Sequence, residues 1–440
     1  MKKYLLLVLI ILLFLVTRLY KIAQIPSSVY WDEASIGYNA FAVATDLKDE
    51  WGDTLPLHFR AFGEFKLPVY IYSVAILTKL FGSNEITLRL PAVLYSLGTI
   101  IAVYFLAKKI TKKESVGLAS AFLLTISPWL FIFSRTGFEA TAGLFFFFVF
   151  LIFLLLYQEK RYYIILSSLA AILSIYSYNS FRIIIPAILF VWLISQKHKD
   201  IKLELIALGF FLISLIPIVR LYLLDAGAVR LIAVGANGFV GIITNYLSHF
   251  DPRFFFVNGD IIKRHGLPGW GELYYLDFPI LLIGIWRVIK DRNKLTWLFL
   301  LLLVLAPIPA AITKESPHAL RAILMAPSLA VISAVGLVSF KKYFLYVTVG
   351  IYLIFFGFYY RDFSTKYNLE TLSDWQYEYK QIFSEITGGV VTDRYAQPYI
   401  FALYYLKYPP DKFREEVKLN QVSEWGFSKV ASFNGFQFKP

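Results

Sequence analysis

The sequence predicts an all-α polytopic membrane protein with about eleven transmembrane helices and a cytoplasmic N-terminus. External juxtamembrane helices and a small C-terminal extracytoplasmic α/β domain complete the expected fold. Three observations carry this expectation. Hydrophobic residues make up 58% of the 440-residue chain, more than the roughly 45–50% of a soluble domain. Runs such as 4–16 and 144–156 hold no charge, and a run of that kind in hydrocarbon must satisfy its own backbone as a helix. Basic residues collect in alternate loops between the runs, as they do on the cytoplasmic side of a membrane.

In order, the apolar segments fall at 4–20, 88–107, 115–133, 140–157, 162–178, 183–195, 202–223, 277–289, 295–312, 320–340 and 343–360. The first follows two lysines and resembles a signal peptide. No small-residue cleavage site precedes Arg18, so it reads as a retained anchor. The segment 67–81 is short and carries Lys79; it is expected along the membrane surface, not across it. With that count, one set of short loops holds Lys108, Lys109, Lys112 and Lys113, then Lys160 and Arg161, then Lys197, Lys199 and Lys202. The same set continues with Arg287, Lys290, Arg292 and Lys294, then Lys341 and Lys342. The opposite set holds only Arg135, Arg182, Lys314 and Arg321. This asymmetry assigns the first set to the cytoplasm. It also accounts for much of the +13 net charge without nucleic acid. A further span at 67–81 would invert every later loop and destroy the pattern.

Residues 1–360 are therefore the expected transmembrane domain, with external loops at 21–89 and 225–276. Residues 361–440 turn polar and aromatic and are expected to form the extracytoplasmic domain. Within them, 389–393 reads as a strand, 398–408 as a helix and 429–438 as a strand. Trp375, Tyr377, Tyr379, Tyr395 and Tyr399 read as a small core, with stacking on sugar rings as the alternative.

Candidate chemistry lies on the external side. Tyr30-Trp31-Asp32-Glu33 sits just beyond the first span. A shielded carboxylate there can act as a general base, so Asp32 and Glu33 are candidate catalytic groups and Tyr38 a candidate substrate contact. The bland reading makes Asp32 the N-cap of a helix from Glu33 to about Thr45. Lys66, in Arg60-Ala61-Phe62-Gly63-Glu64-Phe65-Lys66, can hold a lipid phosphate or simply snorkel. Arg135 and Glu139 flank a turn next to hydrocarbon, where ionisable groups are paired or functional; a local Arg135–Glu139 pair is the alternative. Arg182, the run Lys314, Glu315, His318 and Arg321, and the run Asp260, Lys263, Arg264 and His265 add further groups on the same side.

Other chemistries are excluded. The chain has no cysteine, so it has no disulfide, thiolate metal site or cysteine nucleophile. Phosphate-loop, Gly-x-Ser-x-Gly and His-Glu-x-x-His signatures are missing. The histidines His58, His198, His249, His265 and His318 have no metal-ligand spacing, so no metal is expected. The spans carry almost no Asp, Glu or Lys, which disfavours an ion pump. A lipid-linked saccharide transporter would show inverted repeats or broken helices, and a glycan-binding protein would tolerate loss of Asp32 and Lys66.

The order of motifs resembles a family. Trp31-Asp32-Glu33 follows the first helix, then come Lys66-Leu67-Pro68 with Tyr70-Ile71-Tyr72, Lys79-Leu80-Phe81-Gly82, Glu85, Leu88-Arg89-Leu90-Pro91, and Ser134-Arg135 with Glu139. This is similar to the GT-C superfamily of lipid-carrier-dependent glycosyltransferases, in the branch of protein O-mannosyltransferases and lipid A aminoarabinose transferases. The resemblance is strong over residues 1–190 and thinner through His318–Arg321. It implies transfer of a sugar from a polyprenyl-phosphate carrier to an acceptor hydroxyl on protein, lipid or glycan, at the external face of the plasma membrane. Asp32 would be the base, Lys66 would bind the lipid phosphate, and Glu139 would stand where the family commonly has Asp. Arg135 matches the family's arginine, and Arg321 would help neutralise the leaving phosphate, with His318 and His265 beside it. No cofactor is required by this scheme, although related branches with paired acidic motifs use a divalent metal.

Overall fold

The computed structural model describes the chain except residues 1, 63, 196–198, 225–234, 236–237, 292–295, 395–396, 423–427 and 440. Gly63, Lys197, His198, Arg292, Lys294 and Tyr395 lie outside the described residues.

Each of the eleven apolar segments carries a helix. The long ones are α1 (Lys2–Leu19), α4 (Glu85–Thr111), α5 (Glu114–Ile126), α6 (Ala140–Leu156), α7 (Tyr163–Ile175), α8 (Phe181–Ser195), α9 (Ile201–Ser214) running on into α10 (Ile216–Leu224), α11 (Asp277–Lys290), α12 (Trp297–Leu305), α13 (Met325–Val338) and α14 (Lys342–Thr365). Between α1 and α4 lie α2 (Trp31–Asp46), a ribbon of β1 (Phe59–Ala61) and β2 (Glu64–Lys66), and α3 (Pro68–Phe81). Three helices, Glu85–Thr111, Ile201–Leu223 and Lys342–Thr365, are long and apolar enough to cross a membrane. The bent pair Glu114–Ile126 and Pro128–Arg135 makes a fourth. Most of the others are shorter apolar helices of 10–17 residues.

Local chemistry sets the ends. Asn84 opens α4: its side chain accepts from Ile86 N (2.9 Å) and Thr87 N (3.0 Å), while Thr87 Oγ1 accepts from Asn84 N (3.2 Å). Three free N–H groups of the helix end are thereby satisfied. At its 27 residues, α4 is roughly 40 Å long. By contrast, α3 has 14 residues, roughly 21 Å, shorter than the roughly 30 Å of hydrocarbon, as are the other apolar helices of 10–17 residues. After α5, Pro128 forces Ser127 into an extended conformation (ψ 126°), because a residue before proline avoids helix. The chain then turns by 64° and delivers Arg135 to the end of α1.

Tight packing holds the bundle. A Cβ on Gly284 of α11 would lie 2.1 Å from Ile332 O of α13, and one on Gly336 would lie 2.3 Å from Ile280 O. Only glycine lets these two backbones touch, the packing device of membrane helices.

The C-terminal segment contains α15 (Tyr377–Glu385), β3 (Gly389–Thr392), α16 (Pro398–Tyr405), α17 (Pro410–Glu416), β4 (Lys418–Val422), β5 (Ser428–Phe433) and β6 (Phe436–Lys439). The sheet runs β3-β6-β5-β4, with β3 parallel to β6 and the other pairs antiparallel. The strand expected at 429–438 is thus a hairpin. Asn434 (φ 45°) and Gly435 (φ 74°) turn it in the left-handed region, where the Asn-Gly pair is at home. Trp375, Tyr379 and Tyr399 are buried and act as core. This segment shares one apolar cluster with α2 and α3: Ile36, Tyr38 and Tyr70 pack with Phe401, Leu403 and Phe413.

Candidate active site

Asp32 stands in the first turn of α2. It does not cap the helix: Tyr30 is the N-cap, in extended conformation. Gln376 Oε1 accepts from Trp31 N at 2.9 Å, so the C-terminal segment fixes the start of this turn. The Asp32 carboxylate instead meets Lys66, whose Nζ donates to Oδ1 at 2.5 Å. Lys66 ends the β1–β2 ribbon, paired in register with Phe59. Its side chain is 4% exposed and that of Asp32 is 27% exposed, so the lysine is the enclosed partner. Burial works against the Lys66 ammonium, but Asp32 and Glu139 outweigh it and hold its pKa above the ordinary value.

Glu139 comes in from the turn before α6 and accepts from Leu67 N at 3.3 Å. Burial pushes its carboxyl up to about 7, against the pull of Lys66. The alternative of a local Arg135–Glu139 pair is not realised: Arg135 bonds backbone carbonyls and Glu139 bonds Leu67 N. Asp32, Lys66 and Glu139 share the wall of one cavity of about 620 Å³, together with Tyr178, Arg182, Arg264, His265, His318 and Arg321. Arg321 donates to Thr313 Oγ1 at 2.8 Å and to Glu315 Oε2 at 3.3 Å. Arg264 donates to Asp374 O at 2.9 Å and lies over the Tyr30 ring. A second cavity of about 220 Å³ between α7, α8 and α9 is apolar apart from two serines and Glu204.

Three expected site residues are seated outside this cavity. Glu33 is fully buried: it accepts from Arg89 Nε (3.1 Å), Arg89 NH2 (3.0 Å) and Gly137 N (2.6 Å). Arg135 donates to the carbonyls of Thr17 (2.7 Å), Tyr20 (2.9 Å) and Ile25 (3.1 Å), which clamps the end of α1. Tyr38 donates to Tyr408 O at 3.1 Å and belongs to the contact with the C-terminal segment.

The histidines, unremarkable by spacing, are brought together. His265 Nδ1 donates to Asp260 Oδ2 at 2.8 Å, and the rings of His265 and His318 lie 4.7 Å apart. His318 N donates to His249 Nε2 at 3.1 Å. Burial, then repulsion from His265 and Arg321, hold the His318 pKa well below the ordinary value. Glu272, which no motif pointed to, accepts from Asp260 N at 3.0 Å, and burial raises its carboxyl well above the usual range.

Comparison with known proteins gives a consistent result. The family of dolichyl-phosphate-mannose-protein mannosyltransferases matches residues 66–222, the stretch that carries Lys66, Arg135 and Glu139. The chain superposes on ArnT from Cupriavidus metallidurans bound to undecaprenyl phosphate with a TM-score of 0.58 at 13% identity, over 96% of this chain and 86% of that one. The apo oligosaccharyltransferase of Archaeoglobus fulgidus gives 0.53 at 14% identity, over 92% of this chain and 63% of that one. The same archaeal enzyme with an inhibitory peptide and a dolichol-phosphate gives 0.52 at 14% identity, with the same coverage. This chain therefore spans less than two thirds of the archaeal enzyme's length. No curated protein sequence matches it. Residues 66–222 thus match the mannosyltransferase family, and the chain as a whole shares the fold of these lipid-phosphate-binding membrane proteins.

Proposed function

We propose that this protein transfers a sugar from a polyprenyl-phosphate carrier to an acceptor hydroxyl on the extracytoplasmic side of the cell membrane, in one inverting displacement. The observation that carries the proposal is the Asp32–Lys66 ion pair, set beside Glu139 in the wall of one cavity. ArnT is described with undecaprenyl phosphate and the archaeal oligosaccharyltransferase with dolichol-phosphate, which supports a lipid phosphate as the donor class here.

The ion pair suggests how the reaction starts. A donor phosphate entering the cavity competes with Asp32 for Lys66 and is met by Arg321. As Lys66 turns to the phosphate, Asp32 is released as a carboxylate and becomes a base for the acceptor hydroxyl. The acceptor oxygen forms its bond to the anomeric carbon as the bond from that carbon to the phosphate oxygen breaks. The hydroxyl proton passes to Asp32. The phosphate leaves as an anion, and Lys66 and Arg321 stabilise the charge that develops on it. Glu33, Arg135 and Tyr38 position this machinery from behind. Gln376 and Asp374 hold Trp31 and Arg264, two residues of the cavity wall.

The test is transfer of label from radiolabelled polyprenyl-phosphate sugars by the full chain in lipid nanodiscs. Asp32→Asn is expected to lower turnover by about 100-fold or more while donor binding persists. Lys66→Met is expected to weaken donor binding itself. Wild-type turnover in both variants would sink the assignment.

A further inference from the structure

We propose that Asp260, His265 and His318 form a binding site for a divalent transition metal of the zinc type, with the two histidines in the wall of the same cavity. One ligand atom from each residue lies within 4.8 Å of the others. The residues come from two chain segments that meet only in the fold, and all three are buried, at 8%, 5% and 4% exposure.

The carboxylate is held ready. Asp260 Oδ2 accepts from Ala319 N at 2.7 Å, and Oδ1 accepts from Ile262 N at 2.9 Å. These two backbone contacts fix the carboxylate whatever else approaches it. The remaining contact is the His265 Nδ1–H at 2.8 Å, and a proton between an imidazole and a carboxylate is what a metal ion replaces. The proton leaves to solvent as the ion binds, so binding tightens with rising pH.

Charge balance favours a cation here. The Asp260 backbone N–H donates to the Glu272 carboxyl, which burial keeps neutral, so the charge at issue is the Asp260 carboxylate. Among the described residues that carboxylate is not ion-paired with a lysine or arginine; His265 is its sole ionic partner. Buried anionic charge without a strong cation is costly. Two imidazoles and one carboxylate suit zinc and its neighbours, whereas magnesium and calcium ask for six or more oxygens. Asp32 and Glu139, engaged by Lys66 and Leu67, are not part of the set. The competing explanation is a plain hydrogen-bond network that docks the loop around 254–276 onto 313–324. The metal site stands apart from sugar transfer, because ion binding is measured directly.

The experiment uses the full chain in nanodiscs, stripped with chelator and titrated with Co²⁺ and Zn²⁺. Visible cobalt absorption and elemental analysis are the readouts. One ion per chain is expected, with visible bands of low-symmetry Co²⁺. His318→Gln and Asp260→Asn are expected to weaken binding by about 100-fold, and Asp32→Asn to leave it unchanged. His265→Cys keeps a ligand and is expected to retain cobalt with a new sulfur-to-metal band, which separates ligation from a failure to fold. Absence of stoichiometric binding in the wild type would overturn the proposal. So would unchanged binding in His318→Gln and Asp260→Asn, loss of binding in Asp32→Asn, or a His265→Cys protein that binds cobalt without the sulfur band.

Discussion

Glu139 is subject to opposing influences. Burial raises its carboxyl, Lys66 lowers it and Asp32 raises it again, to about 7 in all. Below that value Glu139 is neutral, and Lys66 and Arg321 face a donor phosphate with one fewer anion beside them. Above it, a second carboxylate repels the phosphate. Affinity for a polyprenyl phosphate is therefore expected to rise as pH falls through about 7, by up to about tenfold. The phosphate's own second ionisation, near about 6, acts on any variant alike. Comparison with Glu139→Gln removes it: that variant should keep only the phosphate's own pH dependence. Titrating lipid binding in nanodiscs at several pH values checks this. Equal slopes in the two proteins would mean that Glu139 does not titrate in the window. Lys66 and Glu139 were legible in the sequence because they lie in an ordered series of motifs. Their meeting with Asp32 was not, since the partner of an ionisable group is a property of the fold.

Between elements, buried charges act as rivets. Arg89 of α4 holds Glu33 of α2, and its remaining donors reach Ile22 O (2.9 Å), Pro26 O (3.1 Å) and Ser28 O (2.6 Å). Both side chains of the pair are 0% exposed. Arg89→Leu leaves Glu33 buried without its cation, which is expected to cost about 3–5 kcal/mol. Replacing both residues by leucine is expected to cost less than the single change, because no lone charge remains. Thermal unfolding in detergent measures both. A stable but inactive Arg89→Leu protein would instead return Glu33 to the chemistry. The sequence marks charges near hydrocarbon as paired or functional and cannot divide the two. Glu33 and its partner Arg89 are 56 residues apart, and Arg135 binds carbonyls more than 100 positions back. The same limit hid the metal-type cluster, whose ligands show no periodic spacing.

At the scale of the molecule, each of the eleven apolar segments carries a helix, because apolar runs in hydrocarbon have few alternatives, whereas the helix Gly238–Ser248 lies in what hydropathy reads as a loop. The division at residue 360 was read from a change of composition, and packing qualifies it. The C-terminal segment completes its core with α2 and α3, and Ser28, Trp31 and Arg264 bond to residues 374–376. Gly37 is a point of close approach: a Cβ there would meet the Tyr404 ring at 2.4 Å. Gly37→Leu is expected to lever α16 off α2 while leaving the helices behind the cavity in place. If the C-terminal segment and the first loop fold as one body, this change exposes both to protease together. It also weakens donor binding, because Trp31 and Arg264 line the cavity and lose their anchors. Limited proteolysis and lipid binding of the variant measure the two effects. A C-terminal segment that stays resistant with donor binding intact would show an independent domain. Release of both would show that one end of the chain closes the site built by the other.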